Sequence, residues 1–250
     1  MRRVFSILIV LGLILFFVNS LSILPEYGKV KLSKVSSAYI NKSVNGNSEK
    51  VTFGKSKDLE DGSANVVTSI VVNYRSFDTL GEVTVLFTSA LGVGLILHGY
   101  KRKKYGRQPN FILRISVGIL LPLILLFGAY IFIHGHLTPG GGFPGGTIIA
   151  AGILLLYLSN EEYELSKASK FVESAAGSLY VIVGLTGLAV SGIFLLNFLP
   201  TGVVGNLFSA GIVPIVYILI GFKVGAELSG IIADLHREEG WQWYIISLLY

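Results

Sequence analysis

The 250-residue sequence contains no cysteine. That excludes thiol catalysis, disulfide frameworks, cysteine-ligated zinc and iron–sulfur clusters. It has one methionine and two glutamines, Gln108 and Gln242, in keeping with the thermolabile-residue avoidance of thermophiles. Charge is scarce as well. Only 14% of residues are Asp, Glu, Lys or Arg, 52% are hydrophobic, and the mean hydropathy is +0.68. That is the balance of a polytopic membrane protein, not of a soluble domain. The net charge of +5 falls in short clusters that report membrane orientation and give no footprint for nucleic acid. No nucleotide motif, hydrolytic constellation, internal repeat or low-complexity tract is present.

What is there is a series of long apolar runs. Arg2-Arg3 precede the first, Val4 to Leu24. A cleavable signal has an apolar core of ~7–15 residues and a small-residue cleavage site. This run is longer and Ser20-Leu21-Ser22 is a poor site, so residues 1–24 are expected to form a retained transmembrane helix. Residues 25–78 read as an external polar loop: Pro25 to Ser69 is rich in Ser, Asn, Lys and Gly, as water-exposed segments are. Asn65 to Tyr74 turns β-branched, which suggests a short strand or an amphipathic surface segment. The next run, Thr79 to Gly99, is long enough to cross ~30 Å at 1.5 Å per residue. Asp78 is placed to cap it, and Glu82 lies a turn inside.

Lys101-Arg102-Lys103-Lys104-Tyr105-Gly106-Arg107 then puts five basic residues in seven, the mark of a cytoplasmic loop. A third helix is expected from Asn110 to Ile133, kinked at Pro122. The stretch His134-Gly135-His136-Leu137-Thr138-Pro139-Gly140-Gly141-Gly142-Phe143-Pro144-Gly145-Gly146 should interrupt the helices. Glycine loses the most backbone entropy on ordering and proline lacks an amide donor. It is either a solvated turn or a packed re-entrant segment. Further helices are expected over Thr147–Ser159, Ser174–Phe198 and about Asn206–Asp234. In the second of these, Gly177, Gly184 and Ser191 recur every seven residues, so that another helix can approach closely. The sum is an all-α integral membrane protein with about six transmembrane helices, one polar external loop, and a cytoplasmic tail at 236–250. Both termini are cytoplasmic in this arrangement.

A carboxylate in a membrane helix costs ~2.5–3.5 kcal/mol and needs a partner or water. Glu82 is therefore a candidate ion-path group, and Ser89 lies on nearly the same face. Lys223 and Glu227, four residues apart, share a face within pairing range. Buried lysine and glutamate are readily shifted toward neutral pH, so such a pair can exchange protons; a structural ion pair is the equal alternative. His98, His134 and His136 suit proton relay because histidine titrates near physiological pH. No cysteine or nearby carboxylate completes a metal set, so no metal and no cofactor is assigned to this chain. Gly140, Gly141, Gly142, Pro144, Gly145 and Gly146 are assigned to a structural turn, since the Lys-Ser/Thr of a phosphate loop is missing.

The motif HGHLTPGGGFPGG resembles the signature turn of the B subunit of Mrp-type multisubunit sodium/proton antiporters. The segment Arg75-Ser76-Phe77-Asp78-Thr79-Leu80-Gly81-Glu82 resembles the C-terminal region of the A subunit of the same antiporters. The resemblance covers roughly 65–235, divided into 79–110, like the A-subunit region, and 111–235, an MnhB-like four-helix domain. Pro144 departs from the pattern, which more often has a hydrophilic residue there. The resemblance implies an accessory subunit that helps form a Na+ or H+ path. Its partners would be other membrane subunits of an antiporter, or of an archaeal hydrogenase-like or sulfur-reducing respiratory complex. A purely structural membrane subunit is the alternative.

Overall fold

A computed structural model describes residues 2–22, 32–44, 51–97, 110–160 and 163–235. The chain divides into two compact units, Met1–Ala38 and Tyr39–Tyr250. The first holds α1 (Arg2–Ser22), a helix with no polar face, and most of α2 (Lys34–Ile40). The second is helical throughout its described residues apart from its loops. It contains a short α3 (Val66–Thr68) continued by a π-helical segment, Ser69–Tyr74. Five long helices follow: α4 (Ser76–Ile96), α5 (Phe111–Ile133), α6 (Gly142–Ser159), α7 (Lys167–Ser191) and α8 (Val213–Leu235). All five are long and apolar enough to cross a membrane.

α8 is the centre of the second unit. Half of its apolar span is buried, against 39% of α6 and 11–22% of α4, α5 and α7. Val213, Val216, Tyr217, Ile220 and Val224 place its core stripe against Val83 of α4, Tyr180 of α7 and Val72 of the π-helical segment. Close approach comes from glycine. A Cβ on Gly146 would sit 2.8 Å from Gly221 O, and one on Gly142 2.6 Å from Ile220 Cβ, so α6 runs alongside α8 in the same direction. Gly128 and Gly145 meet across α5 and α6, and Gly152 faces Ile124, which makes that pair antiparallel. Phe132 of α5 packs directly on Gly221. The helices alternate in direction through the bundle.

Several boundaries differ from the sequence expectation. Asn65 starts a helix and not a strand: its side chain accepts from Val67 N–H at 3.0 Å, and no partner strand exists among the described residues. α4 begins at Ser76, so Asp78 lies in its first turn and pairs with Arg75 at 2.8 Å instead of capping. α6 begins at Gly142, five residues early. Pro144 is helical because an amide in the first turn has no intrahelical acceptor to lose, and Gly145 and Gly146 because neighbouring helices pack on them. α7 begins at Lys167 with Ser166 as its cap and ends at Gly192, whose φ of 76° is the left-handed stop of a helix. α8 begins only at Val213, with Pro214 in its first turn.

The polar loop is also not wholly water-exposed. Asp61 and Ser63 are fully buried, and 51–63 packs against the loop between α7 and α8. Gly54 N–H bonds Val204 O at 2.8 Å, Asp58 N–H bonds Gly202 O at 2.9 Å, and Thr201 Oγ1 donates to Leu59 O at 2.6 Å. Polar composition there reflects backbone partners inside the fold as much as solvent.

Candidate functional site

Lys223 and Glu227 pair along one face of α8. Lys223 is the eleventh of the 23 residues of α8, hence near the middle of that helix, with its Nζ 3.2 Å from Glu227 Oε2. A third group, which the sequence did not point to, joins them. Glu173 of α7 brings Oε1 to 3.9 Å from the same ammonium. The side chains are 11%, 1% and 26% exposed for Lys223, Glu227 and Glu173, so the cluster lies within the bundle. Two carboxyl groups then face one lysine side chain. Oε1 of Glu227 has no hydrogen-bond partner.

Neighbouring residues hold the ammonium in place. Phe87 of α4 presents its ring 4.9 Å from Nζ, within cation–π range. Gly177 leaves room for the lysine stem: a Cβ there would lie 3.2 Å from Lys223 Cδ. The glycine repeat on α7 is thus used differently from a helix–helix seam. Gly177 admits Lys223, and Gly184 admits the ring of Phe194 from the following loop. Glu173 was legible in one respect, since it stands one turn before Gly177 on the face that meets Lys223. It was missed because α7 starts seven residues earlier than expected.

α4 and α7 flank α8 and leave a gap between them. One cleft of about 350 Å³ is lined by Phe87, Gly94, Glu173, Glu227 and Asp234. A second, about 330 Å³, is lined by Thr84, Phe87, Glu173, Gly177 and Lys223. Both are fronted by Phe87 and Glu173, so the charged cluster is approached from either end of α4. This arrangement can hold, exchange or pass on a proton or a small cation.

Glu82 is not part of the cluster. It lies exposed on α4, beside the buried Val83. Ser89 is exposed as well and bonds Val85 O of its own helix at 2.8 Å, so the two form no polar seam within the chain. His98 and the basic stretch 101–107 lie outside the described residues. His134 ends α5, stacked on Tyr130 at 4.2 Å with Nδ1 3.0 Å from Tyr130 O. His136 is fully buried and donates from Nε2 to Leu207 O at 3.0 Å, and its Nδ1 is unpartnered. Burial lowers its pKa; backbone hydrogen bonds with Leu207 and Asn206 oppose that. The two histidines are held by different elements and do not converge.

The glycine turn is a packed structure. Gly140 and Gly141 have φ of 155° and 137°, which favours glycine, and Gly135 and Gly141 lie under the ring of Tyr217. Asn65 Nδ2 donates to Gly135 O at 3.1 Å and to Thr138 O at 3.0 Å; Asn65 N–H bonds His136 O at 3.0 Å. The segment read as an external loop therefore clamps the turn. Pro144 is exposed in the first turn of α6, where a missing amide costs no helical bond.

Residues 112–230 match the family model described as a domain related to the MnhB subunit of Na+/H+ antiporters. Residues 27–106 match the MbhE family model, described as one of the subunits of MBH. The chain is 30% identical over 196 residues to an uncharacterized protein of Methanocaldococcus jannaschii, covering 66% of this chain and 74% of that one. It is 42% identical to a chain in the structure of the membrane-bound sulfane sulfur reductase, an archaeal respiratory membrane complex. That match covers 95% of this chain and 99% of the other, with a TM-score of 0.78. A chain of the Mrp complex from Dietzia sp. DQ12-45-1b shares the fold at TM-score 0.68 and 24% identity, over 96% of this chain and 26% of its own length. The protein is a multi-pass membrane protein.

Proposed function

Because the chain belongs to the family of MnhB-related membrane subunits, we propose that it is an accessory component of a multisubunit cation/proton antiporter module. The module works beside other membrane subunits, either as an antiporter or as the ion-translocating arm of a respiratory complex. The chain helps form the path for Na+ or H+ and carries no cofactor; redox chemistry lies in other subunits. One observation carries this reading. A lysine sits midway along α8 between two carboxylates, at 3.2 and 3.9 Å, in clefts that open between two helices. Ionisable groups at that depth are costly and mark ion or proton routes.

Glu82 supports a role between subunits. It is exposed on a helix that otherwise presents Val85, Leu91 and Leu95 outward. A carboxylate on that face is costly in lipid, so a polar or basic group of a neighbouring subunit covers it. Charge supports an orientation: the basic residues at 2–3 and 101–107 favour cytoplasmic termini, with residues 25–78 outside.

Ion flux by complexes reconstituted into vesicles tests the reading. Glu82→Gln and Glu227→Gln keep side-chain size while removing charge, and both should depress Na+- or H+-coupled flux with subunit content unchanged. Full flux from both would reduce the chain to a structural role.

A further inference from the structure

The two clefts beside the charged cluster are not one groove. The first, about 350 Å³, meets α4 from Phe87 to Leu95, α7 from Ser169 to Ser174 and α8 from Ala226 to Asp234. The second, about 330 Å³, meets α4 from Leu80 to Phe87, α7 from Glu173 to Val181 and α8 at Lys223. The first therefore lies toward the C-terminal ends of α4 and α8, and the second toward their N-terminal ends. Phe87, Glu173 and Ser174 border both clefts, and so mark one level across the gap between α4 and α7. The 3.2 Å Lys223–Glu227 contact crosses that level. Of the two clefts, Lys223 borders only the second and Glu227 only the first.

Phe87 is the side chain that fills this level. Its ring stands 4.9 Å from Lys223 Nζ, and it is the one aromatic residue of α4 that borders either cleft. To either side α4 contributes smaller groups, Val83 and Thr84 in the second cleft and Ala90 and Gly94 in the first. Phe87 is also 41% exposed, so the core of the bundle does not depend on its bulk. An apolar ring at a narrow point excludes water, and a hydrated ion does not cross a constriction that has lost its water. The lysine under the ring adds a positive charge where a metal cation would have to pass, and like charges at that range repel.

We propose that Phe87 is the barrier of this path: it divides two half-clefts and stops water and hydrated cations from passing directly between them. What crosses does so by way of the Lys223–Glu227 pair, whose two members border different clefts. The inference rests on the reading of the cluster as part of an ion path, and adds the residue that keeps that path from leaking.

The test uses complexes reconstituted into vesicles, with coupled transport and passive Na+ leak measured separately. Phe87→Ala should raise the leak about tenfold, the change that ~1.4 kcal/mol off a barrier produces, and coupled flux should fall. Phe87→Leu keeps an apolar side chain at the constriction and should leak less than Phe87→Ala. Subunit content should not change. A second measurement needs no flux. Ser169 borders the first cleft and Ser178 the second, and the chain has no cysteine of its own. An impermeant thiol reagent should reach Ser169→Cys and Ser178→Cys from opposite faces of the vesicle, and this labelling decides the matter if Phe87→Ala complexes fail to assemble. Reaction of both from the same face overturns the barrier. If Glu227→Gln loses coupled flux while Phe87→Ala matches wild type in leak and flux, the barrier falls and the proposed function stands. If Phe87→Ala leaks and Glu227→Gln keeps full coupled flux, the barrier stands and the charged cluster is not the coupled route.

Discussion

Lys223 stands between two carboxylates, so losing the lysine and losing a glutamate are different events. Glu227→Gln leaves Lys223 paired with Glu173 and should cost on the order of 1 kcal/mol. Lys223→Met leaves two partly or fully buried carboxylates facing each other, and should cost about 3–5 kcal/mol, as for other broken buried pairs. Adding Glu227→Gln to Lys223→Met should restore part of that loss. Thermal unfolding of the four purified complexes measures this cycle, and strict additivity would show that Lys223 and Glu227 do not interact. His136 sets a different pH dependence. Its folded-state pKa is lowered, so between that value and the unfolded value of ~6.5 the unfolded chain binds more protons. Stability is then complete above ~6.5 and falls as pH drops below it. Hydrogen-exchange protection of residues 134–141 should weaken on acidification through this range, and His136→Gln should remove the slope.

At the scale of elements, the bundle is assembled on glycine contacts more than on interlocking large side chains. Gly145 and Gly146 of α6 touch the backbone of α5 and α8, and a methyl at either position meets carbonyl oxygen at 2.7–2.8 Å. Alanine at either should cost about 1–3 kcal/mol, because helix backbones must separate to admit it. Gly118 of α5 has open space around its Cβ position within this chain. Alanine there should be neutral or stabilising by up to ~1 kcal/mol through helix propensity. Differential scanning of the purified complexes compares them. Equal losses at Gly118 and Gly146 would mean that Gly118 also meets a neighbouring subunit. The glycine-rich motif was legible as a break in the helices, but its second half is helix. Residue type shows that glycine tolerates irregular backbone; it does not show when a neighbour's close approach is the reason for it.

At the scale of the whole molecule, α4, α6 and α8 run one way and α5 and α7 the other. Within the second unit, the 51–69 segment, the 134–141 turn and the α7–α8 loop share one end of the bundle. Because the chain has no cysteine, single-cysteine labelling is clean. Asn45→Cys should react with an impermeant maleimide from outside intact cells, and labelling only after permeabilisation would invert the topology.

The sequence alone determined the membrane class, the number of apolar helices and the Lys223–Glu227 pair. These depend on hydropathy summed over a span and on a fixed i, i+4 geometry, both of which are local. It could not place Glu173 beside that lysine, nor enclose Lys42 and Asp61 in a loop rich in polar residues. It also could not separate Glu82, which faces outward, from the charges that face inward. Those outcomes depend on how α7 rotates against α8 and on which backbone groups the 51–69 segment reaches. Rotation is set by glycine and aromatic contacts between segments far apart in the chain, such as Gly177 with Lys223 and Gly221 with Phe132. A membrane helix is apolar on every side, so its own sequence carries little information about which face turns inward; only packing against the other helices decides that.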